Sequence, residues 1–162
     1  MEIIRLRCRR AADLGLTYRQ YTSVLLDRGV HPRAIFFDLG GTLVQMKNEK
    51  IHVDQFGRIQ LLPGVLDKFA RLKGCDVFVI SNDEQACLTI GQIKELSGGI
   101  VTDHGVYGEA AEAQSAIVEL LAAFKIPPAA AIMVGAAIAS ENCAHAAKLA
   151  KFILAGEYFA MS

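Results

Sequence analysis

Five short apolar runs, each ending on a turn- or cap-forming residue or leading straight into one, constrain this chain more than anything else in it. They are Ala34-Ile-Phe-Phe-Asp38, Val77-Phe-Val-Ile-Ser81, Ile100-Val-Thr102, Ala131-Ile-Met-Val-Gly135 and Phe152-Ile-Leu-Ala155. Runs this short that do not alternate with polar residues suit strands buried on both faces. Helical segments separate them. Pro63-Gly64 opens one through about Leu72, Asn82-Asp83 caps one through about Leu96, a third runs from about Glu109 to Phe124, and a fourth covers about Ser140 to Ala150. Strand, loop and helix in repetition predict a three-layer α/β sandwich of Rossmann-like type, with a parallel five-stranded sheet and helices on both faces.

A chain of 162 residues can bury a core of its own without disulfides or a structural metal. Cys8, Cys75, Cys87 and Cys143 lie far apart with no C-x-x-C spacing, which argues against zinc and against a disulfide framework. No apolar stretch approaches the roughly 20 residues that span a bilayer, and the N-terminus lacks the apolar stretch of a signal peptide. The expectation is therefore a cytoplasmic protein without a membrane partner. Net charge is zero but unevenly spread, since residues 1–33 hold seven Arg, three acids and no Lys. That asymmetry sets off an Arg-rich helical arm, 1–33, from an α/β domain, 34–162.

In open parallel sheets, ligands bind at the carboxyl ends of the strands. The segments to inspect are therefore Asp38 to Thr42, Ser81-Asn82, Thr102-Asp103 and Gly135 to Glu141. Among them, Ile35-Phe-Phe-Asp-Leu-Gly-Gly-Thr-Leu43 ends a buried strand on a carboxylate and follows it with Gly-Gly, which lets the backbone approach a ligand closely. The N–H groups of such a turn can face an anion.

This run resembles the first motif of the haloacid dehalogenase-like (HAD) hydrolase superfamily: a hydrophobic strand, then Asp, any residue, Asp, Gly, Thr, Leu. Further landmarks follow in that family's order. Leu62-Pro63-Gly64-Val65 is similar to the helix before the second motif, Val79-Ile80-Ser81-Asn82 to the second motif, and Ile126-Pro127-Pro128 with Ile132-Met133-Val134-Gly135 to the approach to the fourth. The resemblance spans roughly residues 33–156. It implies a HAD-like fold, Asp38 as nucleophile, and Thr42, Ser81 and Asn82 as phosphate-binding groups. The Ile51 to Leu61 segment leaves room for a small β-hairpin flap but for no cap domain.

Several positions depart from the family pattern. The second Asp of the first motif, which protonates the leaving group, is Gly40; general acid help of that kind is typically worth about 10²- to 10⁴-fold. The motif-three Lys falls near Ala111, and no Lys lies between Lys94 and Lys125. In the fourth motif, Gly-Asp and a later Asp become Gly135-Ala136 and Glu141. What remains for Mg²⁺ is Asp38 with Glu141, a weak pair. Carbon–halogen hydrolases of the same superfamily also dispense with the second Asp, but they keep the lysine and a cap.

Each of these residues also has a plain structural reading. Asp38 can accept N–H bonds from its own Gly-Gly loop, Glu141 suits the first turn of a helix, and Thr42, Ser81 and Asn82 suit turns and helix starts. Asp103 reads as a turn residue, and His52, His104 and His145 have no ligand spacing. In the arm, Thr17 and Gln20 form a capping box, Leu16 and Tyr21 a hydrophobic staple, and Gly29 a stop. Two helices about a Gly turn outline a helix-turn-helix, but the supporting third helix is missing. The stripe Tyr21, Val24, Leu25 equally suits packing on the sheet.

The reading that results is a HAD-like hydrolase-fold protein, catalytically impaired and acting through binding or scaffolding: a pseudoenzyme. A protein partner or self-association through the arm is expected, a phosphate-type anion is a candidate ligand, and nucleic acid is disfavoured. The alternatives are a slow Mg²⁺-dependent phosphatase using Asp38 and a nucleic-acid-associated regulator using the arm.

Overall fold

The computed structural model describes residues 2–47, 50–81, 91–95, 97–107 and 110–160. Its first elements are α1 (Glu2–Asp13), α2 (Tyr18–Arg28), β1 (Ala34–Asp38) and a small hairpin of β2 (Met46–Lys47) and β3 (Lys50–Ile51). There follow α3 (Val65–Arg71), β4 (Asp76–Ser81), β5 (Val101–Val106), α4 (Ala110–Ala123), β6 (Ala131–Gly135), α5 (Ile138–Ala146), β7 (Lys151–Leu154) and α6 (Ala155–Phe159). Five strands form one sheet in the order β5-β4-β1-β6-β7, and every pairing in it is parallel.

Strand periodicity sorts the core into two layers. Alternate side chains point to opposite faces, so Ile35 and Phe37 of β1, Val77 and Val79 of β4, and Ile132 and Val134 of β6 face one way. They meet Val65 and Phe69 of α3, Tyr158 of α6, and Ala11, Leu14, Leu16, Tyr21 and Val24 of the arm. Phe36, Phe78, Ile80 and Met133 face the other way, onto Ile117 and Leu121 of α4 and Cys143 and Ala144 of α5. The result is the three-layer sandwich expected from the five apolar runs.

The third strand is longer than its apolar core. It continues through Asp103-His104-Gly105 because β5 has a neighbour on one side only, and polar residues are tolerated on an edge. The last helix before β7 begins and ends earlier than expected. Lys148 turns left-handed at φ 60° and the Ala150 N–H already bonds the Ala131 carbonyl, so the chain has left the helix. The expected helix from Asn82 lies mostly outside the described residues; residues 91–95 are helical. Within the expected flap, Ile51 to Leu61, an antiparallel bridge joins Val53 to Ile59, and the β2–β3 hairpin lies just before it. Its tip is tied by Asp54, whose carboxylate accepts the Phe56 and Arg58 N–H groups.

The arm's lower half is part of the core. The Thr17–Gln20 capping box forms in both directions at 3.0 Å, and Gly29 caps α2 in the left-handed region. Tyr21 is fully buried and its hydroxyl meets His31 Nδ1 at 2.8 Å. The turn between α1 and α2 is held by α6, an element the sequence did not announce: the Tyr158 hydroxyl donates to the Leu14 carbonyl at 2.9 Å. Gly15 in that turn has φ +72°, and a Cβ there would stand 2.5 Å from the Tyr158 hydroxyl. Only glycine fits both demands. The upper half of α1 is different, since residues 2–10 are all exposed.

We expect Gly15→Ala to destabilise the fold by about 2–4 kcal/mol, combining left-handed strain with overpacking against Tyr158. Urea unfolding of the two proteins measures it; a difference below the scatter of the method would mean that the arm does not depend on this contact.

Candidate functional site

Asp38 ends the central strand on the same face as Ala34 and Phe36, so its side chain is aimed toward α5. There the Ser140 hydroxyl donates to Asp38 Oδ2 at 2.6 Å, a length typical of a bond to a carboxylate. Gly135 makes this approach possible. A Cβ on Gly135 would stand 2.6 Å from Ser140 Cβ, so any larger residue would push α5 away from the strand end.

Burial pushes the Asp38 carboxyl above its ordinary value, and the bonds from Ser140 and the Leu39 amide pull it only partly back. Tyr107 is the neighbour the sequence did not reveal. Its N–H donates to the Ser81 carbonyl at 3.0 Å, fixing it beyond the end of β4. Burial, then the fields of Asp38 and Cys143, hold its phenol neutral far above the usual range. Burial, followed by Asp38, also raises Cys143. A helix residue, a loop tyrosine and a strand carboxylate far apart in sequence therefore share one locus, and only the chain crossings put them there.

The other expected site residues fall as follows. Thr42 and Ser81 are both buried. Thr42 Oγ1 is buried with no hydrogen-bond partner, a state that costs roughly 1–3 kcal/mol. Asn82 lies outside the described residues. Glu141, expected as a weak partner of Asp38 for metal, is placed beside His145. Ser140, one residue earlier, takes the Asp38 contact, whereas Glu141 is exposed with its carboxylate 3.7 Å from His145. Consecutive helix positions diverge by about 100°, so the two side chains start in different directions. Asp103 accepts the N–H of His104, a local bond that matches its reading as a turn residue.

The absent family side chains are spaces or apolar atoms here. A Cβ on Gly40 would touch Met46 Sδ at 3.0 Å, and one on Gly41 would lie 3.6 Å from the Ala136 methyl. Ala136, Ala137, Ile138 and Ala139 are all exposed, so the lip beyond β6 is apolar. Among the described residues the donor set at the strand end is one carboxylate and hydroxyls. Among the described residues no group of three His, Cys, Asp or Glu stands together. A divalent ion wants several oxygen ligands and more than one negative charge, so these residues do not fit Mg²⁺ well. Nor do they fit a phosphate dianion, because two like charges about 4 Å apart cost about 4 kcal/mol at an effective dielectric of 20, and among the described residues no cation is felt by Asp38.

No protein-family model matches the chain, and no curated protein matches it in sequence. Solved structures do. The cobalt-bound deoxy-D-mannose-octulosonate 8-phosphate phosphatase of Haemophilus influenzae aligns over 76% of this chain and 68% of its own, with a TM-score of 0.55 at 17% identity. A putative phosphoglycolate phosphatase of Lactobacillus plantarum aligns over 80% and 88%, with a TM-score of 0.57 at 15% identity. The Moraxella catarrhalis 3-deoxy-D-manno-octulosonate 8-phosphate phosphatase, in complex with magnesium, phosphate and its sugar, aligns over 83% and 71%, with a TM-score of 0.54 at 18% identity. The chain therefore has the HAD-like α/β fold. At these identities the likeness concerns the fold alone.

A carboxyl raised by burial contributes stability that is complete below its unfolded value and is lost as pH rises through the folded value. Asp38→Asn should therefore stabilise the protein at pH 7 relative to its effect at pH 3, as read from urea midpoints at the two values. Equal shifts at both would mean that Asp38 carries no desolvation cost.

Proposed function

We propose that this chain is a HAD-fold protein with no cap domain that works by binding and scaffolding, its phosphoryl-transfer chemistry impaired. The observation that carries the reading is the 2.6 Å bond from Ser140 to Asp38 Oδ2. A nucleophile for phosphate needs a free oxygen, a cation against the developing charge and an acid for the leaving group. Here a hydroxyl rather than a cation meets Oδ2, the acid's place is Gly40, and Ala136 offers no ligand beside it. The reading extends to the arm. The upper turns of α1 expose Ile3, Ile4 and Leu6 among Arg5, Arg7 and Arg9, side chains suited to a protein partner or to self-association. Contact with nucleic acid is disfavoured because Tyr21 and Val24 of α2, the helix that would read a groove, are buried against the sheet. No helix among the described residues is long and apolar enough to cross a membrane.

A slow Mg²⁺-dependent phosphatase remains the second reading, supported by the position of Asp38 at the strand end and by the phosphatases that share the fold. The two readings separate by calorimetry and turnover. We expect no Mg²⁺ binding by the wild type below millimolar concentration and no Asp38-dependent hydrolysis of p-nitrophenyl phosphate. The double variant Ala136→Asp, Ser140→Asp should gain Mg²⁺ affinity by tenfold or more. Wild-type turnover that vanishes in Asp38→Asn would replace the first reading by the second.

A further inference from the structure

The loops after β1 and β6 meet at Asp38. The described residues directly after these two strands, 38–45 and 135–147, carry Asp38 and Glu141 and no Lys or Arg. At their centre Asp38 is mostly buried, with Ser140 on one oxygen and the Tyr107 side chain near enough to feel its charge. Thr42, four residues on in the same tight turn, holds a buried hydroxyl without a partner. Beside them the lip Ala136 to Ala139 is apolar, and Ile138 is 77% exposed.

We propose that this site binds the protonated amine of an alkylammonium group, with Asp38 as the counter-charge, the hydroxyls of Ser140 and Thr42 and the Tyr107 ring around it, and the alkyl body lying on Ile138. The proposal rests on the binding role argued above and names its ligand class. A carboxylate taken from water without a cation is short of positive charge, and a monocation supplies it. An anion meets the Asp38 charge. A neutral hydroxyl compound satisfies hydrogen bonds but leaves the charge uncompensated. A divalent metal finds one carboxylate at the centre where it needs more. An aromatic ring next to a carboxylate, with an apolar ledge, suits an ammonium on an aliphatic stem. Two sources share that chemistry: a free amine and the lysine side chain of a partner protein.

The test is titration of the full chain followed by amide NMR. The probes are n-butylammonium and Nα-acetyl-lysine methylamide, with n-butanol as the neutral control and inorganic phosphate as the anionic one. We expect both ammonium probes to shift amides in 39–43, 107 and 136–140. n-Butanol and phosphate should bind at least tenfold more weakly. Asp38→Asn should weaken the ammonium probes at least tenfold, and Tyr107→Leu severalfold, in samples whose remaining spectra stay native. Tighter binding of the lysine probe points to a protein partner, and tighter binding of butylammonium to a small amine. Phosphate or butanol binding as well as the amines, or amine binding indifferent to both substitutions, overturns the proposal. The phosphatase assay above stands apart: turnover by the wild type sinks the binding role itself, whereas an inactive protein blind to amines sinks only the ligand class.

Discussion

The pairing of β1 on both edges and its burial on both faces is the constraint from which the rest follows. Ala34 to Phe37 are 0% exposed, with β4 on one side and β6 on the other. A strand so placed must satisfy its backbone through neighbours and fill two layers with its side chains. Phe37 packs against Phe69 and Tyr158 on one face, and Phe36 stacks on Phe78 on the other. The next residue in the alternation is Asp38, so the geometry that builds the core also fixes where the carboxylate points.

That carboxylate carries a cost that the fold does not recover locally. Burial opposes its charge, and among the described residues the side chain hydrogen-bonded to it is a hydroxyl, that of Ser140. A purely structural position would gain from an apolar or amide replacement. An acid at such a place, with Thr42 Oγ1 unpaired, fits a site completed by something positive from outside.

The arm is tied to the same core from the opposite face. Tyr158 bonds the Leu14 carbonyl, Lys73 N–H bonds the Asp13 carbonyl, and Lys151 reaches Ser23, so α2 and the foot of α1 form part of one sandwich layer. The upper turns of α1 lack such ties. Amphipathic helices in a domain gain most of their stability from packing, and a helix that leaves its apolar residues in water has that packing still to find.

Much was legible in the residue pattern. Five apolar runs named the five strands, the Thr17–Gln20 box and Gly29 bounded α2, and the Gly-Gly motif after Asp38 marked the candidate site, because these signals depend on neighbours in sequence. Other features were decided only by the tertiary structure. Ser140 rather than Glu141 meets Asp38, since the helix phase is set by how closely Gly135 lets α5 approach. Tyr107 joins the site because β5 lies beside β4, and Tyr158 locks the arm because the last helix returns to the first turn. Periodicity determines which face a residue occupies; which other element covers that face depends on chain crossings that no local spacing encodes.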